Sequence, residues 1–288
     1  MRLAGADVAM QLGFALRDGD AQRLRQARAL ADSLLEDDGS AREGGAVLLT
    51  SLAALTGRAT AALRYARSPL VANSFAVPDA LRRGAAELLV LSALGGPADS
   101  LRALERRVAD LIARNVAPSE RTGRRLEFLA RGASMAFPLH RSDMLAQLAA
   151  DGDELVILQA KSLRGDTVGV RRGLSAFQEV RRAILPENLA IDALAPEAAL
   201  LWSLGDAEAV VAWLAPTLSV LPQAQPGLLS SPMQAGSLVP ALMLRARAAT
   251  KLGDSVGARR WASAVVILWS NADSFLQPQV QEAQRLAR

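Results

Sequence analysis

Apolar positions along the chain follow a helical period rather than the alternation of a strand. Alanine, leucine and valine recur every three or four residues between short polar breaks, and only 4% of the residues are aromatic. Alanine and leucine favour helices, whereas strands favour β-branched and aromatic residues. The pattern predicts an all-α protein with helices near 4–17, 21–36, 42–56, 59–67, 79–94, 99–115, 119–131, 142–149, 154–164, 167–184, 188–203, 206–219, 237–251, 255–270 and from 276 onward.

One short pattern occurs twice in nearly the same form. Residues 165–177 read GDTVGVRRGLSAF, and residues 253–265, 88 positions later, read GDSVGARRWASAV. Glycines follow apolar runs at positions 19, 57, 96, 132, 165, 205 and 253. A glycine readily takes the left-handed conformation that ends a helix. The aspartates at 20, 166, 206 and 254 come next, where a carboxylate caps the following helix. These positions therefore predict turns between paired helices.

The residue five positions after each glycine is also apolar: Leu24, Ala62, Leu101, Phe137, Val170, Val210 and Ala258. A single helical hairpin cannot bury its apolar face alone, whereas stacked hairpins form a continuous core. We therefore expect one domain over 1–288, a right-handed α-solenoid of about seven stacked helical hairpins. A subdivision into N-terminal repeats (1–150) and C-terminal repeats (151–288) is the alternative.

The segment ALMLRARAATKLGDSVGARRWASAVVILWSNADSFLQPQVQEAQRLAR (241–288) resembles the tetratricopeptide-repeat family. In it a helix closes with LGD and a further helix follows, with a small residue at the fifth position. The segment is most similar to C-terminal repeat segments of bacterial regulatory and kinase-associated proteins, and the resemblance extends to 155–215. The glycine spacing is mostly longer than the repeat of that family, so the chain resembles a divergent member. The resemblance implies a helical scaffold for protein–protein interaction.

Charge and composition narrow the function classes. The chain has 33 basic and 29 acidic residues, and its excess of positive charge lies in 61–146. A nucleic-acid-binding protein more often concentrates basic and aromatic residues on one face, so nucleic acid is not an expected partner. The absence of cysteine excludes disulfides, thiolate metal sites and a cysteine nucleophile. The first residues lack the layout of a signal peptide, which favours a cytoplasmic location, with a peripheral position at a membrane as the alternative.

No catalytic signature is present. His140 stands near Ser142 and Asp143, but adjacency in the sequence is not the geometry of a catalytic triad. The DGDE run at 151–154 is better explained as a helix-start cap than as a calcium loop, because Ser162 stands where an EF-hand requires glutamate. We expect no enzymatic activity, no cofactor, no metal and no small-molecule substrate.

Two arginine pairs occupy the same position in the twice-occurring pattern, Arg171–Arg172 and Arg259–Arg260. We predict that they bind acidic groups of a protein partner, because a guanidinium binds carboxylates through two hydrogen bonds. A solvated helix face, whose arginine stems cover apolar surface, is the alternative.

The stretch 209–244 contains no charged residue, but its five prolines argue against a membrane span. It predicts a long proline-rich loop over 216–240 that either contacts a partner or packs on its own chain. We predict apolar partner contacts from Leu228 and Leu229 in this loop and from Trp213 and Trp261 beside it.

These features together predict a non-catalytic scaffold for protein–protein interaction, or an accessory subunit of a larger assembly. One alternative is a peripheral subunit of a membrane complex that docks through the arginine-rich middle section and the uncharged stretch. The other is a sensory or regulatory repeat segment of a larger signalling protein.

Overall fold

The computed structural model describes residues 2–36, 45–67, 77–137, 145 and 148–288. These residues form helices and turns and include no β-strand, so the all-α prediction is confirmed. Most of the predicted helix at 142–149 lies outside the described residues, and so does His140. No helix in the described part combines the length and the apolarity that a bilayer crossing requires.

The α-helices are numbered here in chain order. They are α1 (Arg2–Asp18), α2 (Ala21–Glu36), α3 (Ala46–Leu55), α4 (Ala59–Ala66), α5 (Asp79–Ala93), α6 (Ala98–Asn115), α7 (Arg121–Arg124), α8 (Arg131–Met135), α9 (Glu154–Leu163), α10 (Thr167–Arg182), α11 (Ile191–Ser203), α12 (Ala207–Ser219), α13 (Leu221–Ser230), α14 (Pro232–Lys251), α15 (Ser255–Leu268) and α16 (Gln277–Leu286). A π-helical turn (Arg125–Ala130) joins α7 to α8, and short 3₁₀ turns lie at Pro118–Glu120, Pro186–Asn188 and Ser274–Leu276.

The predicted turns are mostly correct. The glycines at 19, 57, 165, 205 and 253 all have positive φ and lie between paired helices. Each of the four predicted aspartate caps accepts a backbone N–H from the first turn of the next helix. All seven apolar residues at the fifth position after the predicted glycines are buried. The spacing therefore identified both the turns and the inward face of the helices that follow.

One of the seven glycines was wrongly predicted as a bend, and another lies in a bend without the positive φ. Gly96 lies between α5 and α6, but the residue with positive φ there is Gly95. Gly132 lies inside α8 and is buried against α5, where a Cβ atom would stand 3.2 Å from Leu88 Cγ. It is therefore a point of close helix packing and not a turn. The sequence pattern also missed Gly152, which has positive φ before α9.

The predicted loop over 216–240 is wrong, because this segment is almost entirely helical. Helix α12 continues to Ser219, α13 follows at Leu221, and α14 begins at Pro232. Pro222 and Pro232 lie in the first turns of their helices, where the missing N–H has no intrahelical partner to lose. Ser231 caps α14 by accepting the N–H of Gln234. The prolines at these positions start helices rather than prevent them.

Helix α14 is the centre of the packing. It contacts α3 and α5 from the N-terminal half, α11 and α12 from the hairpin before it, and α15 and α16 after it. Most of its side chains are buried and many of those are small, and a Cβ atom on Gly236 would lie 3.0 Å from Ala93 Cβ of α5. Small residues let neighbouring helices approach closely. The uncharged stretch therefore forms the core and not an exposed surface.

The first helices of the chain pack against the last ones. Helix α2 contacts α15, and α1 contacts α13, where the Cβ of any residue replacing Gly13 would come within 2.9 Å of Pro222 Cα. Near the C-terminus, Asp273 accepts hydrogen bonds from the N–H and the hydroxyl of Thr60. An open solenoid, in which each hairpin contacts only its neighbours along the chain, does not account for these contacts.

Candidate functional site

A groove between the first and last hairpins contains three of the predicted partner-binding residues. Arg259, Arg260 and Trp261 of α15 line one side, and residues around the turn at Gly19 line the other. Its volume is about 300 Å³, at the lower end of the range for ligand sites. The groove exists because α15 and the α1–α2 hairpin lie side by side.

Two arginines hold the sides of this groove together in a reciprocal way. Arg260 of α15 donates from Nη2 to the carbonyl oxygens of Leu16 and Arg17, at 2.6 Å each, at the end of α1. Arg28 of α2 donates from Nε to the carbonyl oxygen of Leu268, at 2.9 Å, at the end of α15. The last carbonyls of a helix have no intrahelical partner and carry partial negative charge. Each hairpin thus supplies a cation to a helix end of the other.

The contacts of Arg260 are within the chain, so it stabilises the fold and is not available to a partner. Its guanidinium carbon lies 4.4 Å from the ring centre of Trp261, within range of a cation–π contact. Burial lowers the pKa of the Arg260 guanidinium, and the nearby Asp18 carboxylate opposes that shift. Trp261 itself is only 7% exposed. The predicted use of Trp261 as an exposed interface anchor therefore conflicts with its position in the core.

The mouth of the groove is formed by two exposed side chains of α15. Val256 is 77% exposed, more than any other large apolar side chain in the described residues. Arg259 is exposed, and within the described part of the chain no ion pair includes it. An apolar contact and an uncommitted positive charge lie within one helical turn of each other.

The arginine pair of α10 is placed differently from its counterpart in α15. Arg171 is exposed but donates from Nη1 to Asp206 Oδ2 at 2.7 Å, which links α10 to the cap of α12. This hydrogen bond is the main reason that the pKa of Asp206 is lowered. Arg172 is exposed, and no ion pair with a described residue occupies it. Arg172 fits the prediction of a surface cation better than Arg171 does.

Trp213 is buried, which contradicts its predicted role as an exposed contact. Its Nε1–H donates to Glu197 Oε2 at 2.9 Å, and Arg181 Nη2 lies 2.5 Å from the other oxygen of the same carboxylate. The ring lines a cavity of about 320 Å³ between α10 and α12. A buried indole with its N–H satisfied stabilises the fold locally.

Leu228 and Leu229 are also buried, at 2% and 6% exposure. They belong to α13, which packs against α1 and α3, so they are not the exposed loop residues that the proline pattern suggested. The physical reason is the helical fold of the segment, which turns its apolar side chains into the core.

The sequence pattern missed a polar groove between α8, α9, α10 and α11, with a volume of about 460 Å³. Arg131 lies 2.5 Å from Asp192, and Arg181 pairs with Glu197. Both carboxylates are buried. The signal for it was present, since Asp192 and Glu197 interrupt the otherwise apolar IDALAPEAALLWS of α11. Each carboxylate is matched by an arginine, so the arrangement can hold helices together without acting on a substrate.

No group of three His, Cys, Asp or Glu residues that could hold a metal ion occurs in the described residues. Asp153 accepts the N–H of Val156 at 2.9 Å, which confirms that the DGDE run caps a helix. Comparison of the chain with models of protein families, with curated proteins and with solved structures finds no match to any of them.

Proposed function

We propose that this protein is a non-catalytic scaffold, or an accessory subunit of an assembly, that binds a partner protein at the groove between its first and last hairpins. The observation that carries the proposal is that two exposed side chains, Val256 and Arg259, lie at the mouth of one groove whose floor is formed by Arg260 and Trp261. The groove side chains provide a positive charge and apolar surface.

The chemistry of the groove suggests the kind of segment that it binds. Val256 and the partly buried Ile267 offer apolar contact, and Arg259 offers a guanidinium for a carboxylate. Arg260 is already engaged with backbone carbonyls, so it shapes the floor and does not bind the partner. A partner segment with an apolar side chain next to an aspartate or glutamate matches this surface.

The architecture fits the same proposal. We propose that the hairpins are divergent copies of one tetratricopeptide-like unit, and that their array closes when the first hairpin packs on the last. The repeated Gly-Asp turns, the caps and the buried fifth positions support a common unit. Closure puts residues that are far apart in the chain on one surface, which is how a repeat array without an active site acquires a specific binding groove.

The experiment isolates the tagged protein from its native cells and compares the copurifying proteins for the wild type and two variants. Arg259→Glu reverses the charge at the groove mouth, and Arg164→Glu reverses an exposed charge on another turn as the matched control. We expect a protein that is retained by the wild type and by Arg164→Glu and lost from Arg259→Glu. Its retention should decrease as the salt concentration rises. Identical recovery with both variants would contradict the assignment of the groove.

One of the two features that favoured the alternative of a peripheral membrane subunit is not exposed. The alternative required an exposed uncharged stretch at 209–244, and that stretch forms α12, α13 and α14 with most of its apolar side chains buried. Liposome flotation at low salt tests what remains of it, and recovery of the protein with anionic vesicles would favour the alternative over the groove.

A further inference from the structure

Helix α10 leaves several of its apolar side chains exposed to solvent. In its 16 residues only Val170 and Leu174 are buried. Val168 and Val180 are 68% and 58% exposed, and Leu185 just beyond the helix is 60% exposed. Most of the exposed large apolar side chains of the described residues lie in the α9–α10 hairpin and its exit. Such a concentration of apolar surface marks an interaction site.

The second copy of the repeated pattern shows what this face does when it is covered. Offsetting α10 by 88 residues places Arg172, Ala176 and Val180 onto Arg260, Ala264 and Leu268 of α15. In α15 this face is in contact with the α1–α2 hairpin, and Ala264 and Leu268 are 5% and 0% exposed.

In α10 the same face, with the same arginine and alanine, is exposed, and no other helix of the described residues covers it. One copy of the pattern therefore uses most of this face for helix packing, with Val256, the counterpart of Val168, left exposed, and the other copy leaves the whole face available. Residues 168, 172, 176 and 180 are spaced four apart, so they follow one side of the helix. We call these four residues the α10 face.

The exposed charges beside this face include both signs, so one copy of the helix can pair with another. Arg172 and Arg182 are exposed and have no ion pair within the described residues, while Arg171 and Arg181 are already paired with carboxylates. The exposed acids are Asp166, at the N-cap, and Glu179. Two uncommitted cations are thus balanced by two carboxylates on the same helix.

Their order along the helix suits an antiparallel copy. Asp166 and Arg182 are equally far from position 174, and so are Val168 and Val180. When two α10 helices run antiparallel about that position, each Asp166 is level along the axis with Arg182 of the other copy, on the flanks of the contact, and each Val168 is level with Val180 of the other copy. Arg172 then lies across the small Ala176 and within reach of Glu179. A foreign acidic partner would leave the two carboxylates of α10 facing like charge.

We propose that the α10 face binds a second copy of this chain, with the two α10 helices antiparallel about a twofold axis. The same patch is used on both copies, as in most homodimers. A helix of this length spans about 24 Å, and a pair of such helices buries an area at or below the lower end of specific interfaces, about 1,200 Å² in total. The dimer is therefore reversible. The proposal is independent of the groove, which lies on α15.

Sedimentation equilibrium of the full-length chain over a range of concentrations tests the proposal. We expect a reversible monomer–dimer equilibrium for the wild type. Val180→Glu places a carboxylate in the apolar part of the contact, and Arg172→Glu places a carboxylate beside Glu179 of the other copy. Each should raise the dissociation constant at least about tenfold. Val256→Glu changes an exposed valine of α15 at the position equivalent to Val168, and as the matched control it should leave the dissociation constant unchanged.

A charge reversal distinguishes the proposed pairing from a nonspecific effect. Arg172→Glu combined with Glu179→Arg exchanges the two charges and should restore the dimer to within about threefold of the wild type. A wild-type chain that stays monomeric at every concentration overturns the proposal and leaves the face to a different protein. A dimer that all of these variants leave intact overturns it as well, because the contact then lies elsewhere. Neither result affects the copurification test of the groove.

Discussion

Replacing Arg260 by alanine removes one of the contacts that join the last hairpin to the first. The variant loses the two hydrogen bonds from Nη2 to the carbonyl oxygens of Leu16 and Arg17, and the stacking of the guanidinium on Trp261. The carbonyls at the end of α1 then lose their cationic partner. Arg28, which makes the reciprocal contact from α2, stays in place.

The magnitude follows from the kind of bond. A hydrogen bond from a charged donor contributes about 1.5–3 kcal/mol. Both bonds come from one nitrogen of a guanidinium that remains partly exposed, so we take about 2 kcal/mol for the combined loss. This free energy corresponds to a roughly 30-fold increase in the population of molecules in which the first hairpin is detached. The hairpin opens more often, while the rest of the α14-centred core stays folded.

Hydrogen exchange followed by mass spectrometry measures this opening directly. Peptides from α1 and α2 should exchange faster in Arg260→Ala by about the same 30-fold factor, provided that they exchange through detachment of the hairpin. Peptides from α11 and α12 should not change. The adjacent and exposed Arg259→Ala is the control and should behave as the wild type, within about 0.5 kcal/mol. Equal protection of α1 and α2 in the two variants would refute the reasoning.

Three further outcomes are expected, each measurable by denaturant unfolding. Gly57→Ala should destabilise the protein more than Gly253→Ala. Both glycines have positive φ, which costs about 1–2 kcal/mol for another residue, but only at Gly57 would the new Cβ approach a neighbouring Cβ to 2.7 Å. Equal losses of stability would show that the close packing around Gly57 relaxes at no cost. Burial raises the pKa of Glu105 to about 7, so the stability that its protonated form contributes is lost as the pH rises from about 4.5 to about 7. Glu105→Gln should therefore gain stability relative to the wild type between about pH 5 and pH 8, and a constant difference would contradict that pKa. A hydrogen bond from Arg171, together with the capped N–H, lowers the pKa of Asp206, so the stability that its carboxylate contributes is present above the ordinary carboxyl pKa and decreases as the pH falls through the lowered one. Asp206→Ala should therefore cost about 1 kcal/mol near neutral pH and less in acid, and a cost that does not change with pH would contradict the assignment.

The parts of the fold that the sequence predicted are those set by local interactions. A glycine with positive φ and an aspartate one residue later act within a single turn, so Gly205 with Asp206 and Gly253 with Asp254 could be recognised from their spacing alone. The buried fifth position follows from the same turn, because the turn fixes which side of the next helix faces the core.

The contacts that close the array could not be predicted in this way. Arg28 donates to Leu268, and Arg260 donates to Leu16, across about 240 positions of the chain. Neither arginine differs in its local sequence from the many arginines that are solvated. The groove was located only in part, since Arg259 was predicted as a binding residue but the α1–α2 side of the groove was not.

The prediction of a loop for the proline-rich stretch was wrong for a different reason. Proline prevents a helix in its interior but is well accommodated in the first turn, and the two cases differ only in where the helix begins. Pro222 and Pro232 are at such starts, whereas Pro216 and Pro240 lie inside helices. The leucines between them were assigned to an exposed loop, although tertiary packing against α1 and α3 buries them.

Packing of the first hairpin on the last brings residues far apart in the chain close together, and chemical cross-linking measures that proximity. The chain has no cysteine, so cysteines introduced at Asp20 and Val256, on opposite sides of the groove, are the only sites for a short bifunctional maleimide. A pair at Asp18 and Arg23, whose side chains meet across one turn, controls for reactivity. We expect a rapid cross-link within one chain for both pairs in dilute solution. Cross-linking of the control pair alone would contradict this packing.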